Sequence, residues 1–188
     1  PVVAWAHGTT GIADECAPSR GPSIPGDYGV EGVRVATDYI GLGPVGEVHS
    51  YLSAAAEGNA VVDSVVAAHN VIEANAGDQL VVYGHSQGGH AAIWTGQLLE
   101  PYASATATLG GGALALAGVV AEAPAGNFVV QPGDPGVSPG FGLFDWFAAV
   151  DASNPGLRPE ASTLFSYAFA AWANYAAGNQ PALGAMPA

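Results

Sequence analysis

A serine with a glycine two residues to either side is the first place where this chain offers chemistry: Gly84-His85-Ser86-Gln87-Gly88. A serine oxygen is a weak nucleophile until a backbone bend lifts it clear of the chain and a base takes its proton. The lifting requires a strand that enters a tight turn, a serine in a strained conformation, and a helix that leaves. Glycines at 84 and 88 suit such a turn, because a side chain at either position would collide with neighbouring backbone. The Ser86 hydroxyl would then stand at the carboxyl end of a sheet, over the amino end of a helix whose dipole favours an oxyanion. The alternative is an ordinary serine in a glycine-rich bend, and the pentapeptide alone does not decide between them.

The flanking elements carry that decision. "QLVVYG" (79–84) reads as a strand, and 87–100 as a helix that stops before Pro101. Upstream, "PVVAWA" (1–6) reads as a buried strand, and "VRVAT" (33–37) as a second, short one. Residues 59–76 have helical spacing, with Val61, Val62, Val65, Val66 and Ile72 mainly on one face, Asn59 as N-cap and Gly77 as stop. "LAGVVAEAP" (116–124) makes a fourth strand. Strands alternating with helices predict an α/β class protein with a mostly parallel sheet and helices on both faces. The continuous apolar strands predict burial on both sides.

Acyl transfer also needs two donors for the oxyanion. One is the backbone N–H of Gln87, the residue after the serine. The other is expected from the loop "AWAHGTTG", where Gly8 permits close backbone approach and the N–H of Thr9, or alternatively of Thr10, points into the site. His7 is expected to brace this loop and His85 to pack at the elbow, facing away from Ser86. Of the five histidines, none fits the base. His90 follows the serine by one helical turn and points along the helix, His69 lies within a helix, and His49 sits in a loop where it could line the site. Among the acids, Glu122 ends the fourth strand, a position from which some hydrolases supply their triad acid. Asp38 reads as a loop-fixing residue, and Asp134, Asp145 and Asp151 as solvated or capping.

"VVAWAHGTTGIADECAPSR", "ATDYIGLG", "YGHSQGGHAA" and "AGVVAEAPAG", in that order from about residue 2 to 126, resemble the secretory lipases of the α/β-hydrolase superfamily, the lipase-A-like group of yeasts and actinobacteria. The resemblance implies an α/β-hydrolase-type fold, carboxylic-ester hydrolysis, a Ser-His-Asp triad, secretion, and a helical cap that shapes an acyl site. It also implies a longer protein, incomplete here at both ends, with triad acid and histidine beyond Ala188.

Two regions follow from this: 1–126 as a partial hydrolase core, and 127–188 as an aromatic-rich helical cap segment. All six phenylalanines fall between Phe128 and Phe169, and helix-like stretches cover 144–152 and 159–178. The second carries Phe165, Phe169, Trp172 and Ala176 on one face and Leu164, Ala168, Ala171 and Tyr175 on the next. It is therefore expected to be buried on most sides.

Sixteen acids against three arginines, with no lysine, give a formal charge of −13. Such a surface is a poor partner for nucleic acid, which needs clustered Lys and Arg, and anionic membranes would repel it. No apolar run is long enough to span a bilayer, and no signal peptide is visible. No metal-ligand spacing or phosphate-cradling loop is present, so no cofactor is expected. Cys16, the one cysteine, is a buried thiol or half of a bridge to another chain. Two readings of function stand. In the first, an esterase or lipase acts through an acyl-enzyme on Ser86, with the remaining triad supplied by another segment of the protein and this chain alone inactive. In the second, a catalytically incomplete hydrolase scaffold binds an apolar ligand or a protein partner.

Overall fold

The computed structural model describes residues 1–21, 29–43, 47–106, 114–126 and 158–177. The expected helix at 144–152, and Asp134, Asp145 and Asp151, lie outside the described residues. Four strands form one parallel sheet: β1 (Val2–Ala6), β2 (Val33–Ala36), β3 (Gln79–His85) and β4 (Ala115–Glu122), in the order β2-β1-β3-β4. The chain runs outward from β1 to β2, then crosses back over β1 to β3. The topological switch therefore falls between β1 and β3, where the carboxyl ends of open α/β sheets leave a crevice.

Helix α1 (Ala54–His69) connects β2 to β3, and α2 (Gln87–Thr106) connects β3 to β4. Both crossovers advance across the sheet in one direction, so the right-handed rule puts both helices on the same face. Val61, Val62 and Val65 of α1 and Ala91 and Ala92 of α2 accordingly share one core with Val2, Ala4, Ala6, Leu80 and Val82. The expectation of helices on both faces is thus not met by α1 and α2. The helices touch closely at Gly58, where an added Cβ would lie 3.2 Å from the backbone of Trp94 and Thr95.

The expected boundaries of both helices need correction. α1 starts five residues before Asn59 and ends at His69; Ile72–Ala74 form a separate 3-10 turn, closed by Asn75 in the left-handed region at φ 49°. Asn59 is an interior residue, because the alanine run that precedes it is a strong helix former. Pro101 lies inside α2 and does not end it. Its ring deprives the Gln97 carbonyl of a donor, but Gln97 and Pro101 both face solvent, where water can take the carbonyl.

β4 is largely exposed rather than buried on both sides, with Leu116, Val119 and Val120 open to solvent. It has no further strand on its outer edge among the described residues. The last helix, α3 (Arg158–Ala176), rests Leu164, Tyr167, Ala168 and Ala171 on Tyr51, Leu52 and Ala125. Its other apolar face is open, with Phe169 63% and Trp172 37% exposed, so among the described residues one face of this helix is packed, not most sides. No helix among the described residues is long and apolar enough to cross a membrane.

Candidate active site

β3 delivers Ser86 to the switch point, and the turn that follows holds it in the left-handed region at φ 58°. This conformation costs a non-glycine residue about 1–3 kcal/mol, and it persists only where surrounding contacts over-determine it. Here three main-chain bonds do so. The Ser86 N–H donates to the Glu122 carbonyl at 3.0 Å, while the Ser86 carbonyl accepts from the N–H groups of His90 at 3.1 Å and Ala125 at 3.0 Å. Ser86 Oγ bonds to no described residue.

The glycines of the pentapeptide are required by close backbone contact. A Cβ at Gly84 would strike the Gly88 carbonyl, and one at Gly88 would strike the carbonyl of Ala6 and come within 2.8 Å of that of His7. At Gly8 a Cβ would lie 3.3 Å from the His85 carbonyl. The loop after β1 and the turn after β3 are therefore in backbone contact across the switch point. The N–H groups of Gln87, Thr9 and Thr10 donate to no carbonyl among the described residues. Thr9 is half-buried and its Oγ1 lies 2.9 Å from Tyr51 Oη, whereas Thr10 is exposed.

His7 lies in the loop after β1. It is buried, its Nδ1–H donates to the Gly8 carbonyl at 2.6 Å, and its ring lies 4.2 Å from that of Tyr39. Tyr39, itself at φ 64°, donates its hydroxyl to the His7 carbonyl at 3.1 Å. Asp38 holds Ser19, in the segment between β1 and β2, through both carboxylate oxygens. His85 is exposed at the end of β3. Glu122 Oε2 accepts from the Tyr83 hydroxyl at 2.6 Å, and no histidine is bonded to it among the described residues. His69 donates Nδ1–H to the Val65 carbonyl at 2.9 Å, a structural role.

Beneath the serine lies a buried polar cluster that the sequence reading did not assemble. Glu57 on α1 is fully buried. Its Oε1 accepts from the Leu52 N–H at 2.8 Å and from the Gln87 side-chain amide at 2.7 Å, while Oε2 pairs with His90 Nδ1 at 2.8 Å. The Gln87 amide also donates to His49 Nε2 at 2.8 Å, and His49 Nδ1–H donates to the Ile40 carbonyl at 2.9 Å. The carboxylate fixes the amide orientation, since an oxygen could not face it. His90 thus turns to Glu57 rather than running free along the helix. His49 is fully buried under the site rather than lining it. The rings of Tyr39, His49, Tyr51 and Tyr167 succeed one another at 5.9 Å, joining the loop after β2 to α3.

Burial pushes the pKa values of His7 and His49 below that of a free imidazole, because desolvation opposes the charged ring. For His49 a second proton would also set N–H against the Gln87 amide. Since the folded values lie below the unfolded value, the unfolded chain binds more protons, and the stability these rings contribute is fully present only above about pH 6.5. The melting temperature is therefore expected to fall as pH drops from about 7 towards 5. His49→Gln should flatten that dependence; a melting temperature constant across the window would contradict it.

A parallel sheet of this order, with a left-handed serine after β3 against the loop after β1, is an α/β-hydrolase-type architecture. The chain belongs to the secretory lipase family, which it matches over residues 29–160. Among solved structures, the rice cell wall degrading esterase LipA from Xanthomonas oryzae is 29% identical over 55% of this chain and 30% of its own, with a TM-score of 0.45. A protein from Legionella pneumophila assigned as a hydrolase is 18% identical over 94% of this chain and 43% of its own, with a TM-score of 0.54. The chain thus spans under half the length of either. No curated protein matches it. Among the described residues no group of three or more His, Cys, Asp or Glu is placed to hold a metal ion.

Proposed function

We propose that the protein hydrolyses carboxylic esters through an acyl-enzyme on Ser86. The observation that carries this reading is the left-handed conformation of Ser86 at the switch point of the sheet, in backbone contact with the loop after β1. Ser86 Oγ attacks the ester carbonyl, the N–H groups of Gln87 and Thr9 (with Thr10 as the alternative) hold the oxyanion, and the alcohol leaves. Water then attacks the acyl-serine, releases the acid and restores the hydroxyl. Gly84, Gly88 and Gly8 keep the two loops in contact, and His7 supports them.

All five histidines are among the described residues, and none bonds to Ser86 Oγ. The base and its acid partner are therefore assigned to a part of the protein outside this chain, and Glu122 stays with Tyr83. Residues 127–188 serve as a cap over an apolar acyl group, with α3 resting beside Tyr51, the partner of Thr9. Membership of a secretory family supports an extracellular setting and a lipid or simple ester substrate.

The missing base also favours a second reading, a scaffold that binds an apolar ligand or protein without turnover. A fluorophosphonate separates the two. Full-length protein is expected to carry one phosphonyl group, on the peptide containing Ser86, whereas the 188-residue chain alone hydrolyses a p-nitrophenyl ester negligibly. Absence of labelling in the full-length protein would leave the scaffold reading; brisk Ser86-dependent turnover by the chain alone would refute the external base.

A further inference from the structure

Glu57 is a buried acid with no part in the chemistry proposed for Ser86, yet its carboxylate is bonded to three residues, Leu52 in the loop before α1 and Gln87 and His90 on α2. We infer that Glu57 is a positioning residue that sets both oxyanion donors at once, an inference that rests on Gln87 and Thr9 being those donors. The first branch is direct: Oε1 accepts from the Gln87 side-chain amide at 2.7 Å and so anchors the first residue of α2, whose own backbone N–H is one donor. The second runs through the loop before α1. The same Oε1 accepts from the Leu52 N–H at 2.8 Å and holds Leu52 in the left-handed region at φ 57°. That turn delivers the preceding Tyr51, whose hydroxyl lies 2.9 Å from Thr9 Oγ1.

A buried carboxylate is tolerated only when its lone pairs are satisfied. His90 Nδ1, at 2.8 Å from Oε2, completes that set and adds a tie one turn into α2. The reach is made possible by Gly58, the next residue, which lets α1 approach the backbone of Trp94 and Thr95. One side chain on α1 is therefore tied directly to the turn after β3 and, through Leu52 and Tyr51, to the loop after β1, the two segments whose separation defines the oxyanion site. An error of about 1 Å in that separation costs a factor of about 10² in rate.

A merely structural acid would affect stability and leave the chemistry of folded molecules intact; a positioning acid lowers kcat with KM little changed. In the full-length protein, Glu57→Leu is expected to lose about 10²-fold or more in kcat, the cost of one misplaced oxyanion donor or greater. Glu57→Gln should keep kcat within about 5-fold, because its amide oxygen accepts from both Leu52 and Gln87 while its NH₂ meets His90 in the other tautomer. Tyr51→Phe cuts only the Thr9 branch, keeps the ring packing, and should lose about 10-fold in kcat, a partial misplacement of one donor. Folded Glu57→Leu with wild-type kcat overturns the inference, as does Glu57→Gln impaired as badly as Glu57→Leu. If Glu57→Leu does not fold, Tyr51→Phe decides: a lower kcat at unchanged KM supports the inference, and wild-type kcat overturns it. Ser86→Ala serves as the control. Activity retained there defeats the reading of the nucleophile itself, whereas activity lost there but kept in the Glu57 and Tyr51 variants defeats this inference alone.

Discussion

Ser86→Ala is expected to lower kcat/KM of the full-length protein for an ester by about 10⁴-fold or more, with the melting temperature moving by no more than about 2 °C. The two halves of that result have separate causes. Loss of the oxygen removes the acyl-enzyme route, and what remains is catalysis by bound water facing the oxyanion donors. The fold is indifferent, because Ser86 Oγ bonds to no described residue and alanine meets the same left-handed penalty as serine. Ser86→Gly extends the test. Glycine relieves a left-handed strain of about 1–2 kcal/mol and returns about 0.5–1 kcal/mol of it as unfolded-chain entropy. A small net gain in stability should therefore accompany a dead enzyme. Activity kept by Ser86→Ala would end the proposal.

Gly88→Ala is expected to destabilise the protein by more than about 4 kcal/mol, the range reached only when backbone or core is forced apart. The new methyl would occupy the space of the Ala6 carbonyl and press on that of His7, and neither carbonyl can rotate away like a flexible side chain. β1 is an interior strand and the most buried of the four, so the strain has nowhere to go. At about 2–4 °C per kcal/mol for a chain of this size, the melting temperature should fall by about 10 °C or more, read by thermal unfolding or as insoluble expression. Gly118→Ala on β4 is the matched control, since its Cβ would meet nothing within 4 Å. Equal tolerance at 88 and 118 would show that the two loops are not in contact.

The elbow was legible because three independent signals agreed: apolar residues before it, helix formers after it, and glycines where side chains do not fit. The parallel sheet followed from the same alternation, and each strand lies within two residues of its expected bounds. The buried acid was not legible, for a traceable reason. Starting α1 at Asn59 left Glu57 outside the helix, although Glu57, Val61 and Val65 are spaced by four and share its buried face. A helix that starts at Ala54 puts this carboxylate in the core, where it must have partners. The pentapeptide shows only the main-chain role of Gln87, because nothing in it says that the side-chain amide meets Glu57 and His49 from segments some thirty or more positions upstream. The open face of α3 is not legible in the sequence, because hydrophobicity records what a surface can bury, not what stands opposite it.

The main chain at residue 86 restricts which atoms can ever serve there. Its amide and carbonyl are fully committed to β4 and α2, and its φ of 58° excludes a branched Cβ, for which that region is a true outlier. Threonine, although it carries the same hydroxyl, is therefore barred by conformation before its reactivity matters. Of the short hydroxyl and thiol side chains serine and cysteine remain, and an aspartate carboxylate, which tolerates this backbone region, is a third nucleophile that a redesign of this position could carry on an otherwise unaltered backbone.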